Sequence, residues 1–100
     1  MPAEYSTTTA TQSDLDDLAE LDALADELNR LGFPALRLTP QGKLPYVDVS
    51  SPGDLNQGER IYTSAGMFFW RTAAPIASSN KPHTAATIIS HALRPNTPQP

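Results

Sequence analysis

The stretch "SDLDDLAELDALADELNRLGFPALRL" changes its hydrophobic period at Gly32. Before that point Leu18, Leu21, Leu24, Ala25, Leu28 and Leu31 fall within about 140° of a helical wheel, opposite Asp16, Asp22, Asp26, Glu27 and Arg30. This spacing predicts an amphipathic helix over 14–31. Ser13 can cap it with Asp16 at the third position, and the first-turn acids suit the positive end of the helix dipole. Gly32, followed by Phe33 and Pro34, supplies a left-handed stop. Beyond the stop the period falls to two: Leu36 and Leu38 alternate with Arg37. After a "PQGK" turn, Val47 and Val49 alternate with Tyr46 and Asp48. Pro45 cannot donate to a ladder, so the second strand starts there or lies at an edge. A chain that carries both periods in sequence combines helix and sheet in one fold.

The loop "SPGDLNQGE" reads as a surface connection, and "RIYTSAGMFFWR" after it reads as a hairpin. Only seven of the 100 residues are aromatic, yet Phe68, Phe69 and Trp70 follow Met67 without a break. If Ser64, Ala65 and Gly66 form a three-residue loop closed by a left-handed glycine, Thr63 pairs with Met67. Ile61, Thr63, Met67 and Phe69 then share the core face with Leu36, Leu38, Val47 and Val49. The opposite face shows Arg37, Tyr46, Arg60, Tyr62, Phe68 and Trp70. A two-residue turn at Ala65 and Gly66 exchanges the two faces and buries Trp70 instead. The exposed aromatics can be covered by the segment "TAAPIASS", by a second copy of the chain, or by a partner.

In "NKPHTAATIISHALRP", Ala85, Ile88, Ile89, Ala92 and Leu93 recur at helical spacing. Asn80 can cap this helix, Pro82 suits its first turn and Pro95 ends it. The predicted architecture is a two-layer α+β domain: helix, three- or four-stranded antiparallel meander, helix, with both helices on one sheet face. It spans 13–94, and the polar segments 1–12 and 95–100 read as disordered tails.

Charge is segregated. Residues 1–34 carry eight acids against Arg30 alone, whereas 35–100 carry Asp48, Asp54 and Glu59 against six bases, and the net charge is −4. The acidic helix face reads as a solvated surface. The chain has no cysteine, which removes disulfides, thiolate catalysis and Cys-ligated zinc. No segment approaches a membrane span and no secretory signal is apparent, so a cytoplasmic protein is expected. His83 and His91, about 12 Å apart along one helix, are too distant to share a metal ion. Ser90 and His91 could be drawn into a catalytic arrangement with a carboxylate, but any chain with this many Ser and Asp residues permits that. The glycines match no phosphate-binding or dinucleotide fingerprint. No catalytic residue, cofactor or metal is expected. The helix, strands, helix order is also that of double-stranded RNA-binding domains, but two lysines and a net negative charge argue against nucleic acid.

The segments "LDALADELNRLGFPALRL", "PYVDV" and "RIYTSAGMFFWRTAAPI" together resemble a group of short uncharacterised α/β proteins of high-GC Gram-positive bacteria, over about residues 15–93. Those proteins carry more tryptophan in the aromatic run, where this chain has Met67, Phe68 and Phe69. The resemblance implies no activity and no catalytic residue. The function expected from the residues is a non-enzymatic protein-interaction or regulatory module that uses Tyr46, Arg60, Tyr62, Phe68 and Trp70 toward a protein partner or a second copy of itself. The alternatives are a small-molecule-binding protein or enzyme, and a nucleic-acid-binding domain.

Overall fold

Residues 12–93 are described by a computed structural model, without the side chains of 12–14 and 54–57. Helix α1 (Gln12–Arg30) precedes five strands, β1 (Ala35–Leu38), β2 (Tyr46–Ser51), β3 (Asp54–Ser64), β4 (Met67–Trp70) and β5 (Pro75–Ser78), and helix α2 (Pro82–Leu93) follows. The strands form one antiparallel meander in chain order. The fold is α+β, and the two helices contact each other and the sheet. The expected tails lie outside the described residues, except that Gln12 is already helical. Ser13, expected as the cap, lies inside the helix, which already includes Gln12, and the stop assigned to Pro95 falls outside the described residues.

Helix α1 ends as its sequence dictates. Gly32 adopts φ +92°, the Phe33 amide donates to the Leu28 carbonyl at 2.9 Å and the Gly32 amide to that of Asn29 at 3.0 Å. This double bond pattern satisfies two carbonyls that the helix leaves open, and it turns Phe33 into the core. Asn29 then ties the helix to the sheet. Its side chain donates to the Ala35 carbonyl at 2.9 Å and accepts from the Ala35 amide at 3.0 Å, so it stands in for a missing neighbour strand.

One core cluster joins Leu21, Leu24, Leu28 and Phe33 to Val47, Val49, Ile61 and Phe68, and to Ala85, Ala86, Ile89 and Leu93. On α2 the buried stripe is displaced from the expected one. Ala86 and Ser90 are buried while Ile88 and Ala92 are exposed. Pro82 occupies the first helical position as expected. The cap is Lys81, whose carbonyl accepts from the Ala85 amide at 3.0 Å, while Asn80 instead accepts a hydrogen bond from the Ser78 hydroxyl at 2.8 Å.

The sheet exceeds expectation in two places, with one strand longer and one strand more. The segment read as a surface loop turns at Pro52 and Gly53, and β3 begins at Asp54, opposite Ser51. The segment "PIAS" pairs along β4 as an edge strand rather than folding over the sheet. Pro75 is tolerated there because an edge leaves one side of the ladder unused. A bulge between Phe68 and Phe69 shifts the β4–β5 register, and both Ile76 and Ala77 pack against the core.

The expected face assignment is corrected at two strands. Ala65 (φ +52°) and Gly66 (φ +80°) form a two-residue turn of type I′, so Ser64 pairs with Met67, Thr63 with Phe68, Tyr62 with Phe69 and Ile61 with Trp70. Phe68 and Trp70 therefore turn to the core, and Met67 and Phe69 turn away from it. In β1, Ala35 and Arg37 pair with the core-facing Val49 and Val47, while Leu36 and Leu38 pair with Asp48 and Tyr46. Arg37 reaches α1 and donates to Asp22, and Leu36 is left 62% exposed. Ala35 packs against the core cluster, and Arg37 meets the Asp22 carboxylate of the helix.

Candidate interaction surface

The sheet face turned away from the core carries a row of large side chains that crosses all five strands. Leu38 pairs with Tyr46, the Tyr46 and Tyr62 rings lie 5.6 Å apart at 48°, Tyr62 pairs with Phe69, and Phe69 with Pro75. The Arg60 guanidinium stands 4.7 Å from the Tyr46 ring centroid. Such a tilted pair with a cation over one ring holds the tyrosine rings in place. Tyr46, Tyr62, Met67 and Phe69 are half-buried, and Arg60 and Asp48 are exposed.

Of the expected site residues, Tyr46, Arg60 and Tyr62 come together in this row. Phe68 does not: it is fully buried. Trp70 is half-buried against the core, at the end of β4. The face expected for these two is corrected by the two-residue turn, and Phe69 takes the place beside Tyr62. The signal for Phe69 was present in the Ala-Gly pair, which permits the tighter hairpin.

A shallow groove of about 680 Å³ adjoins the row. The β1–β2 loop contributes Lys43 and Leu44, the sheet contributes Tyr62, Phe69 and Trp70, and the β4–β5 loop contributes Arg71 and Ala73. Leu44 is 71% exposed. The β1–β2 loop is the expected turn, with the Lys43 amide donating to the Pro40 carbonyl at 3.2 Å and Gly42 at φ +74°. The β4–β5 loop has the three-residue form expected of the preceding hairpin. The Trp70 amide donates to the Ala74 carbonyl at 2.9 Å, the Ala73 amide donates to the Trp70 carbonyl at 2.8 Å, and Ala73 sits at φ +74°. An alanine in that left-handed position is strained where a glycine would be free, and its methyl group lines the groove.

Away from the groove, Arg30, Arg37 and His83 are engaged with helix carboxylates. Glu27 accepts from Arg30 on its own helix and lies 3.2 Å from His83 Nδ1 of α2. The hydrogen bond from Arg30, and then that from His83, hold the Glu27 carboxyl below its ordinary range. Ser90 Oγ donates to the Thr87 carbonyl at 2.8 Å and not to His91. Among the described residues, no group of three His, Asp or Glu side chains could hold a metal ion, and no helix is long and apolar enough to cross a membrane. No family model, curated protein or solved structure matches this chain.

Proposed function

We propose that the chain is a cytoplasmic, non-enzymatic interaction module in which both helices cover one face of a two-layer fold, and the opposite face, along the Leu38, Tyr46, Tyr62 and Phe69 row, binds a protein partner or a second copy of the chain. The observation that carries this reading is the row itself. Large apolar and amphipathic side chains run across adjacent strands on the side away from the core, with Arg60 ordered over Tyr46. Tyrosine and arginine are the residues that most often dominate interface energetics, because they bring much contact area with few rotors and a polar end. The adjoining groove is open along its length rather than enclosed, which suits a protein segment better than a small molecule that must be mostly buried.

The test is retention of partners by the wild-type chain and by a Tyr62→Ser/Phe69→Ser variant, after crosslinking in cells, with sedimentation of both purified proteins. Circular dichroism supplies the folding control, since neither residue lies in the core cluster. Loss of a specific partner, or of self-association, in a folded variant is expected. Equal retention by the two proteins would overturn the reading.

A further inference from the structure

We propose that the groove beside the tyrosine row receives an aromatic or large aliphatic side chain of a partner segment whose flanking residues are acidic. This rests on the reading of the open sheet face as an interaction surface, and it names the partner's chemistry. The groove is mostly apolar inside: Leu44, Tyr62, Phe69 and Trp70 line it. Its volume, about 680 Å³, exceeds what one side chain fills and accommodates the backbone on either side of an anchor.

Charge selects among apolar segments. Lys43 and Arg71, one from each bounding loop, are exposed cations with no ionic partner among the described residues. Arg30 and Arg37 by contrast pair with Glu27 and Asp22, and Arg60 lies over Tyr46. The groove's two cations thus flank an apolar floor, and among the described residues no carboxylate pairs with them or lines the groove. A carboxylate on each side of the inserted side chain meets a cation that needs no internal ion pair broken first. A basic segment meets like charge at both rims, which is how such a surface rejects wrong partners.

The sole tryptophan of the chain, Trp70, lines the groove and reports occupancy directly. Titration of the full chain with a blocked Asp-Glu-Phe-Glu-Asp peptide, followed by Trp70 fluorescence, is expected to show saturable binding that weakens as salt rises. The Lys-Lys-Phe-Lys-Lys peptide is expected not to bind. Lys43→Gln/Arg71→Gln should weaken binding of the acidic peptide by about tenfold or more, equivalent to about 1.4 kcal/mol. Lys81→Gln, which removes an exposed cation that does not line the groove, should leave it unchanged. Equal binding of the two peptides, equal loss in the Lys81 variant, or no binding of the acidic peptide at millimolar concentration would each overturn the proposal. Those failures are separable from failure of the surface itself. Absent peptide binding alongside partner loss in Tyr62→Ser/Phe69→Ser condemns the acidic chemistry alone, whereas peptide binding with every partner retained by that variant condemns the interaction reading.

Discussion

Phe68 and Phe69 are neighbours in the chain and opposites in the fold. Phe68 is fully buried, paired with Thr63 on one side and Ala77 on the other, within the cluster that includes both helices. Phe69 lies between Tyr62 and Pro75 on the outer face and is only half-buried. The residue type is the same, so the difference comes from the pleat, which sends successive side chains to opposite faces. An apolar run of four residues is consistent with a strand that has a use for both of its sides, one for the core and one for contact.

The largest expected effect breaks this comparison at its core side. Phe68→Ala should cost about 3 to 5 kcal/mol, enough to unfold a domain of this size, whereas Phe69→Ala should cost about 1 kcal/mol or less. Thermal melts of the two variants measure the difference. Equal losses would mean that both faces of β4 are buried and that no working surface exists there.

A smaller effect is expected at the tether that holds α1 to the edge of the sheet. Asn29→Ala removes both hydrogen bonds to Ala35 and should cost about 1 to 2 kcal/mol, since the site is solvent-exposed and water replaces part of what is lost. Chemical denaturation measures the loss, and hydrogen exchange should show the β1 amides opening first. The outer-face row should stay intact in that variant apart from Leu38.

The hairpin turns sharpen the comparison from the other direction. Ala65 and Ala73 both hold positive φ, so Ala65→Gly and Ala73→Gly should each raise stability, by about 0.5 to 1 kcal/mol, once the extra freedom of glycine in the unfolded chain is set against the relieved strain. Ala65→Gly should leave the outer face unchanged, because a glycine favours the same two-residue turn. Ala73→Gly also removes a methyl group from the groove, so peptide affinity should fall slightly while the melting temperature rises.

The smallest effect concerns the acidic helix, far from the aromatic row. Glu27 is held below its ordinary value near 4.5 by Arg30 and His83. A depressed carboxyl contributes stability that is fully present above that ordinary value and is lost as pH falls through the lower, folded-state value. Glu27→Gln should therefore lower the melting temperature slightly at neutral pH and converge with the wild type once pH falls below the folded-state value, which flattens the acid limb; the effect is small because exposed ion pairs contribute little. Peptide binding at the groove should be indifferent to this substitution.

The outer-face site was partly legible in the chain. Tyr46, Arg60 and Tyr62 follow from alternation in β2 and β3 alone, whose phase is set by Val47, Val49 and Ile61. The face of Phe69 is not legible in its own strand, because it depends on the length of the turn before it. Nor is that of Leu38, because alternation in a four-residue strand is equally satisfied by either phase. Ala35 and Arg37 won the inner side through contacts with α1: the Asn29 side chain on the Ala35 backbone, and the Asp22 carboxylate on Arg37. Those partners lie on another element and have no signature in the strand itself. The pairing of "PIAS" was hidden for a similar reason, since a proline and two small residues carry no strand signal until β4 offers them a ladder.

What the sequence determined by itself is local: the helix of leucines with its glycine stop, the change of period, the position of Pro82 at the start of α2, and the α+β order. Each of these is decided by interactions among residues a few places apart, and the same chemistry acts wherever the segment lies. What only the tertiary structure decided is phase. A two-residue turn holds Ala65 in the left-handed region whereas a three-residue loop closed by Gly66 does not, so local cost alone does not select the observed turn. The choice fell to the core, where a phenylalanine at 68, opposite Thr63 and beside Ala77, meets helices that a phenylalanine at 69 would have met only by turning Phe68 and Trp70 out to water.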